Sequence, residues 1–250
     1  MSVSYRARRA LIRQLAYQQD KAVSISGDER QLIPMMEKYS RDARSALEQV
    51  RPIPPDARVL EVGCGAHGLI FYFGSQNAVG VDPLAASYAK LFPAWQHRVP
   101  TVAACGESLP FADGSFDIVL CDNVVDHARS PTEILAEIAR VLSPGGLLYF
   151  TVNVHHPLYA VASRLHATWN AIGIHYEVGP FADHTMHLTL ARARGLFKSS
   201  ELRILEQKDN VAETKTATSH MIIFQRGDRL KRLFFKNALY SVIAMRSDDP

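Results

Sequence analysis

A short apolar strand that runs straight into three spaced glycines constrains this chain more than any other feature. Val59 to Val62 read as a buried strand, and Gly63, Gly65 and Gly68 then complete a G-x-G-x-x-G pattern with Cys64, Ala66 and His67 between them. Glycine at such positions permits a tight turn and lets backbone approach a ligand closely. Many nucleotide-binding folds share that pattern. It gains force from Gly80-Val81-Asp82, which closes a second short strand and puts an acid 17 residues beyond Gly65. A carboxylate there can accept both hydroxyls of a ribose.

The rest of the chain supplies a frame for that turn. Strands are expected at Ala78–Asp82, Thr101–Cys105, Ile118–Cys121 and Leu147–Val152. Between them lie a short apolar helix at Leu69–Phe73, another at Pro83–Phe92, and a longer one after Ser130. Ser130 with Glu133 reads as a capping box, Pro131 suits the first helical turn, and Ile134, Leu135, Ile138, Val141 and Leu142 form a buried stripe. Ser143-Pro144-Gly145-Gly146 stops this helix. Strands alternating with helices imply an α/β doubly wound parallel sheet. A further helix is expected at Leu188–Phe197, then strands at Leu202–Glu206 and Met221–Phe224. The linker Gln207–His220 shows no helical pattern, so these two strands should pair antiparallel.

Upstream, Leu11, Ile12, Leu15 and Ala16 are spaced for one face of a helix rich in Arg6, Arg8, Arg9 and Arg13. A surface helix packed on the domain is the favoured reading; a transit peptide and a membrane-surface helix share the composition. A second helix runs from Glu37 to Val50 and ends at Pro52, Pro54 and Pro55. Residues 1–55 therefore form a helical appendage fit to cover a cleft, ahead of a domain spanning 56–226. Beyond it, Arg226, Arg229, Lys231, Arg232 and Lys236 give 227–250 the look of a basic tail. A solvated amphipathic helix is the favoured reading of that tail, with peripheral membrane contact through the basic termini as the sharper one. Residues 155–187 exceed what a strand-to-helix connection needs, which marks an insert that shapes an acceptor pocket.

Of 250 residues, 47% are hydrophobic and 21% charged, and the net charge is +3, which is too small to point to nucleic acid. Cys64, Cys105 and Cys121 have no paired spacing, and a reduced, cytoplasmic setting is expected. His184 and His187 are three apart, but no Cys or Glu completes a familiar ligand spacing and no metal is expected.

Four segments carry a resemblance to a known family: V-L-E-V-G-C-G, G-V-D, E-S-L-P-F-A-D-G-S-F-D-I-V-L and E-I-A-R-V-L-S-P-G-G-L-L. In this order and spacing the chain resembles the class I S-adenosylmethionine-dependent methyltransferases, in particular the methyltransferase type 11 or ubiquinone-biosynthesis-like group. The resemblance is close over 56–153 and loose over 188–224. It implies a Rossmann-like seven-stranded sheet, ordered 3-2-1-4-5-7-6 with the seventh strand antiparallel, and S-adenosyl-L-methionine as cofactor. Glu61, Gly63 and Gly65 would hold the methionine end and Asp82 the ribose, with Cys64, Gly68 and Pro83 among the further cofactor-binding positions. Cys105, Gly106 and Glu107 would border the adenine, and Cys121, Asp122 and Asn123 would run beside the sulfonium. The chain departs from the group at Cys105, where Asp is usual, at His67, where Gly is usual, and at Asp126-His127, where His-His is common.

A nicotinamide-dependent oxidoreductase shares the turn and the ribose carboxylate. Glu61 argues against it, because a carboxylate there would repel a pyrophosphate, whereas a cationic cofactor partners it. A non-catalytic cofactor-binding subunit is the other alternative. A nucleic-acid methyltransferase is disfavoured by Cys121-Asp122-Asn123-Val124, which lacks the proline of base-amine enzymes. Methyl transfer is expected to rest on alignment and water exclusion. If the acceptor must lose a proton, His127, His155 and His156 are the candidate bases, at the carboxyl ends of strands four and five. A small-molecule or lipid-like acceptor is expected.

Overall fold

The computed structural model describes residues 5–24, 29–158, 161, 187–220, 235 and 237–247. Seven strands form one sheet: β1 Arg58–Val62, β2 Asn77–Val81, β3 Thr101–Val102, β4 Phe116–Asp122, β5 Leu142–Val154, β6 Leu202–Asp209 and β7 Ala238–Arg246. Their order is β3-β2-β1-β4-β5-β7-β6, with β7 antiparallel to both its neighbours and the other pairings parallel. This is the expected architecture. Strand alternation splits the core between the two faces. Leu60, Val62, Val119, Cys121 and Phe150 face the α5 side, whereas Val59, Ile118, Leu120 and Leu147 face the opposite side.

The helices are α1 Tyr5–Ser24, α2 Ile33–Glu48, α3 Ala85–Leu91, α4 Pro93–Gln96, α5 Pro131–Val141, α6 Leu190–Gly195 and α7 Val211–Ser219, with a 3-10 turn at Leu69–Tyr72. Helix α5 begins as its cap predicts: the Ser130 hydroxyl accepts from Glu133 N at 3.4 Å. The return half of the capping box does not form. The Ser130 N–H is taken by Glu107, and Glu133 pairs instead with Arg129. The E-I-A-R motif is a clamp. Glu137 accepts from Leu109 N at 2.7 Å, while Arg140 donates to the carbonyls of Leu109 and Phe111 and pairs with Asp113. It thereby holds the whole loop between β3 and β4 against α5.

Three expectations need correction. The antiparallel partner of β6 is Ala238–Arg246, so the stretch read as a basic tail carries a strand of the sheet. Tyr240, Val242 and Ala244 of that strand are buried, because it lies between β5 and β6. The linker after β6 holds α7, whose sequence has no apolar stripe because none of its residues is buried. Finally, α2 belongs to the packed body rather than to an appendage. Ala43 and Leu47 are fully buried, and Arg44 donates to the carbonyls of Ile53 and Phe73. Helix α1 does pack on the domain, through Leu15 and Ala22, but Ile12 and Ala16 face solvent. The strand expected at Met221–Phe224 lies outside the described residues. So do most of the insert at 155–187, His184 included, and the cations Arg226, Arg229, Lys231, Arg232 and Lys236.

Candidate cofactor and acceptor site

The site is built where β1, β2 and β4 end. After Val62, the N–H groups of Gly63 and Cys64 both donate to the Val81 carbonyl, at 2.7 and 3.0 Å, which folds the glycine turn over the end of β2. Asp82 braces it. Its Oδ2 accepts from Gly65 N at 3.1 Å and its Oδ1 from Leu84 N at 2.8 Å. Gly65 has φ +56, and a Cβ added there would meet nothing within 4 Å. The turn thus presents bare backbone to open space, as a close-approaching ligand requires.

Gly68 does a different job. Its backbone is ordinary, but a Cβ would lie 2.3 Å from Glu61 Oε2 and 2.4 Å from the Cys64 carbonyl oxygen. Glycine is needed there to admit the Glu61 carboxylate. That carboxylate is 2% exposed and accepts from Leu69 N at 3.1 Å and Ile70 N at 2.9 Å. Burial pushes its pKa up to about 8, assisted by Asp122 and Asp82 and opposed by the two N–H bonds. Burial also raises Asp82 and Asp122. Two further carboxyl groups, both raised by burial, thus act on Glu61 at the strand ends.

The raised Glu61 pKa carries a stability consequence. Between its ordinary value of 4.5 and about 8, the folded chain holds a proton that the unfolded chain releases. Stability from this group is full below the lower value and is lost as pH rises through the upper one. Denaturant titrations at pH 5.5 and pH 8.5 should show this decline, on the order of a few kcal/mol. Glu61→Gln, less stable throughout, should lose that part of the slope.

Other expected residues are placed as follows. The Cys64 and Cys121 side chains are buried beneath the turn and in the sheet core, and burial pushes both thiols up. Gly106 packs on Val62 and Ile134. Glu107 turns its Oε1 to Arg129 N at 2.9 Å, bracing the entry to α5. Cys105 is exposed nearby. Asn123 adopts φ +55, a conformation Asn tolerates, and ties β4 to β5: its N–H donates to the Thr151 carbonyl and its Oδ1 accepts from Asn153 N. Thr151 Oγ1 donates to Asp122.

The three histidines separate. His155 is fully buried, its Nδ1 accepting from Asn237 N and its ring 4.9 Å from that of His187. His156 lies against Phe235 and accepts from Leu158 N. His127 is the most exposed, its side chain 38% accessible, with Nε2 at 3.9 Å from Oδ1 of the buried Asp126.

Two sets of contacts escaped the sequence. Buried Gln96 of α4 donates from Nε2 to the carbonyls of Gly65 and Ala66, at 3.1 and 2.9 Å, and so sets the turn from below. His67 stacks between Phe92 and Trp95, with ring centroids at 4.4 and 4.8 Å, and meets Lys21 of α1. Neither contact has a local signal, since each joins segments far apart in the chain.

Residues 60–150 match the family model described as a methyltransferase domain. The thiol S-methyltransferase TMT1B of Rattus norvegicus is 32% identical over 151 residues, covering 55% of this chain and 61% of that protein. The malonyl-[acyl-carrier protein] O-methyltransferase of Legionella pneumophila is 27% identical over 172 residues, covering 65% of this chain and 58% of its own. The chain thus spans about three fifths of the length of these curated relatives. Geranyl diphosphate C-methyltransferase from Streptomyces coelicolor superposes with a TM-score of 0.58 at 18% identity, over 83% of this chain and 79% of that one. Over residues 60–150 the chain thus matches a methyltransferase domain, and its motifs and sheet order resemble those of the class I S-adenosylmethionine-dependent methyltransferases.

Proposed function

We propose that the chain transfers a methyl group from S-adenosylmethionine to a small-molecule or lipid-like acceptor. The observation that carries this reading is the combination of bare backbone at Gly65 with the carboxyl groups of Glu61, Asp82 and Asp122. A site in which Asp82 and Asp122 both raise Glu61 is complementary to a cation and hostile to a pyrophosphate. When bound, the cofactor supplies a methyl group already activated by a sulfonium. Asp82 keeps a free lone pair on each oxygen for a ribose hydroxyl. Glu61, behind the turn, supplies negative field rather than direct contact. Asp122 and Asn123, fixed by Thr151 and Asn153, border the methyl side. His127, the most exposed of the three histidines and 3.9 Å from Asp126, is our candidate to take a proton from an acceptor that must lose one. Related proteins are named for transfer to sulfur, oxygen and carbon, so the fold is compatible with more than one methylated atom.

Thermal shift and calorimetry test the reading. S-adenosylhomocysteine should raise the melting temperature, since it binds only the folded chain. NADH should not. Uptake of S-adenosylmethionine near pH 7 should release a proton, because its ammonium and sulfonium near Glu61 draw the Glu61 pKa down. Binding of NADH without S-adenosylhomocysteine would overturn the proposal. Methyl acceptance by thiols and prenyl or acyl compounds, read with labelled cofactor, then identifies the acceptor class.

A further inference from the structure

Helix α1 turns an unusual set of polar groups inward. Lys21 is half-buried, and its Nζ lies 3.5 Å from His67 Nδ1. Among the described residues no carboxylate pairs with it, and burial lowers its pKa. A Lys→His contact fixes the imidazole as an acceptor at Nδ1, and His67 is held neutral, its pKa lowered to about 3 by burial and by Lys21. One turn earlier on the same face, Gln18 is 7% exposed, and its Oε1 has no hydrogen-bond partner among the described residues. Gln14, a further turn back, bonds Tyr88 and so anchors the helix to α3. A half-buried cation without an anion and a buried carbonyl without a donor are each costly. Both costs are removed by a ligand that brings a carboxylate and an ammonium.

We infer that α1 reads the amino-acid end of the cofactor, Lys21 pairing with its carboxylate and Gln18 accepting from its ammonium. His67 is the positioning residue. It replaces a glycine that the family pattern carries, and its stacking on Phe92 and Trp95 holds Nδ1 where the Lys21 ammonium rests. Glu61 acts from the other side of the same turn. The cofactor's zwitterion is thus matched by a cation on α1 and an anion on β1. This rests on the cofactor assignment above.

The test uses calorimetry on the full chain with two probes, S-adenosylhomocysteine and its decarboxylated analogue. Lys21→Met should weaken S-adenosylhomocysteine about tenfold or more, the range of one charge-assisted hydrogen bond. It should leave the decarboxylated analogue within about twofold, because the lost partner is absent from it. Lys21→Arg should restore most of the S-adenosylhomocysteine affinity. The ligand-free Lys21→Met chain should melt no lower than the wild type, since the charge it loses is half-buried and pairs with no carboxylate among the described residues. Equal weakening of both probes, or none, would overturn the clamp while leaving the cofactor assignment standing. Failure of the unmodified chain to bind either probe would overturn both.

Discussion

Asp82→Ala should weaken S-adenosylhomocysteine binding by about a hundredfold or more while leaving a folded protein. Each hydrogen bond to a charged group contributes roughly 1.5–3 kcal/mol, and a ribose engages both oxygens of the carboxylate. The same oxygens hold the Gly65 and Leu84 N–H groups, so the variant also loosens the turn and costs about 1–3 kcal/mol of stability. The two effects separate experimentally. Denaturant titration without ligand measures the brace, and calorimetry measures the ribose contact. Asp82→Asn retains one acceptor oxygen, so it should fall between the two in both measurements. Wild-type affinity in a folded Asp82→Ala protein would remove the ribose assignment.

What the sequence revealed was whatever leaves a local trace. The glycine turn follows a buried strand, α5 has a cap residue and an apolar stripe, and parallel strands with helical crossovers leave few sheet orders. The last two elements show why legibility stopped where it did. Helix α7 packs none of its residues inside, so Val211 to Ser219 carry no periodic signal. Strand β7 reads A-L-Y-S-V-I-A-M-R, close to the continuous apolar run of a strand covered on both faces, but it follows a basic stretch that set its context. At the site, the acids and glycines were visible because their types are unusual in a strand or turn. Gln96 and Lys21 were not, since ordinary residue types act there through contacts 31 and 46 residues away. His155 was legible only by its place at a strand end. A histidine at a strand end looks catalytic in sequence, yet here it is fully buried and joins the end of β5 to the backbone before β7.

The two glycines of the turn should respond in opposite ways to the same substitution. At Gly68 an added methyl meets the Glu61 carboxylate and the Cys64 carbonyl, both nearer than 2.5 Å. The carbonyl is backbone within the turn and cannot swing aside. Glu61 can retreat only by giving up the N–H groups of Leu69 and Ile70, which are buried and would be left unpaired. Each such loss costs about 1–3 kcal/mol, so Gly68→Ala should destabilise the chain by about 3 kcal/mol or more. It should also flatten the pH dependence attributed to Glu61, because the carboxyl group would reach solvent. At Gly65 the methyl enters open space, and the cost to the free protein is only the left-handed backbone, about 1–2 kcal/mol. That open space is where the ligand must approach, so Gly65→Ala should weaken S-adenosylhomocysteine by tenfold or more. Denaturant titration and calorimetry on both variants decide the matter. A Gly68→Ala protein of wild-type stability would mean that Glu61 does not lie behind the turn. A Gly65→Ala protein with wild-type affinity would mean that the ligand does not approach over it.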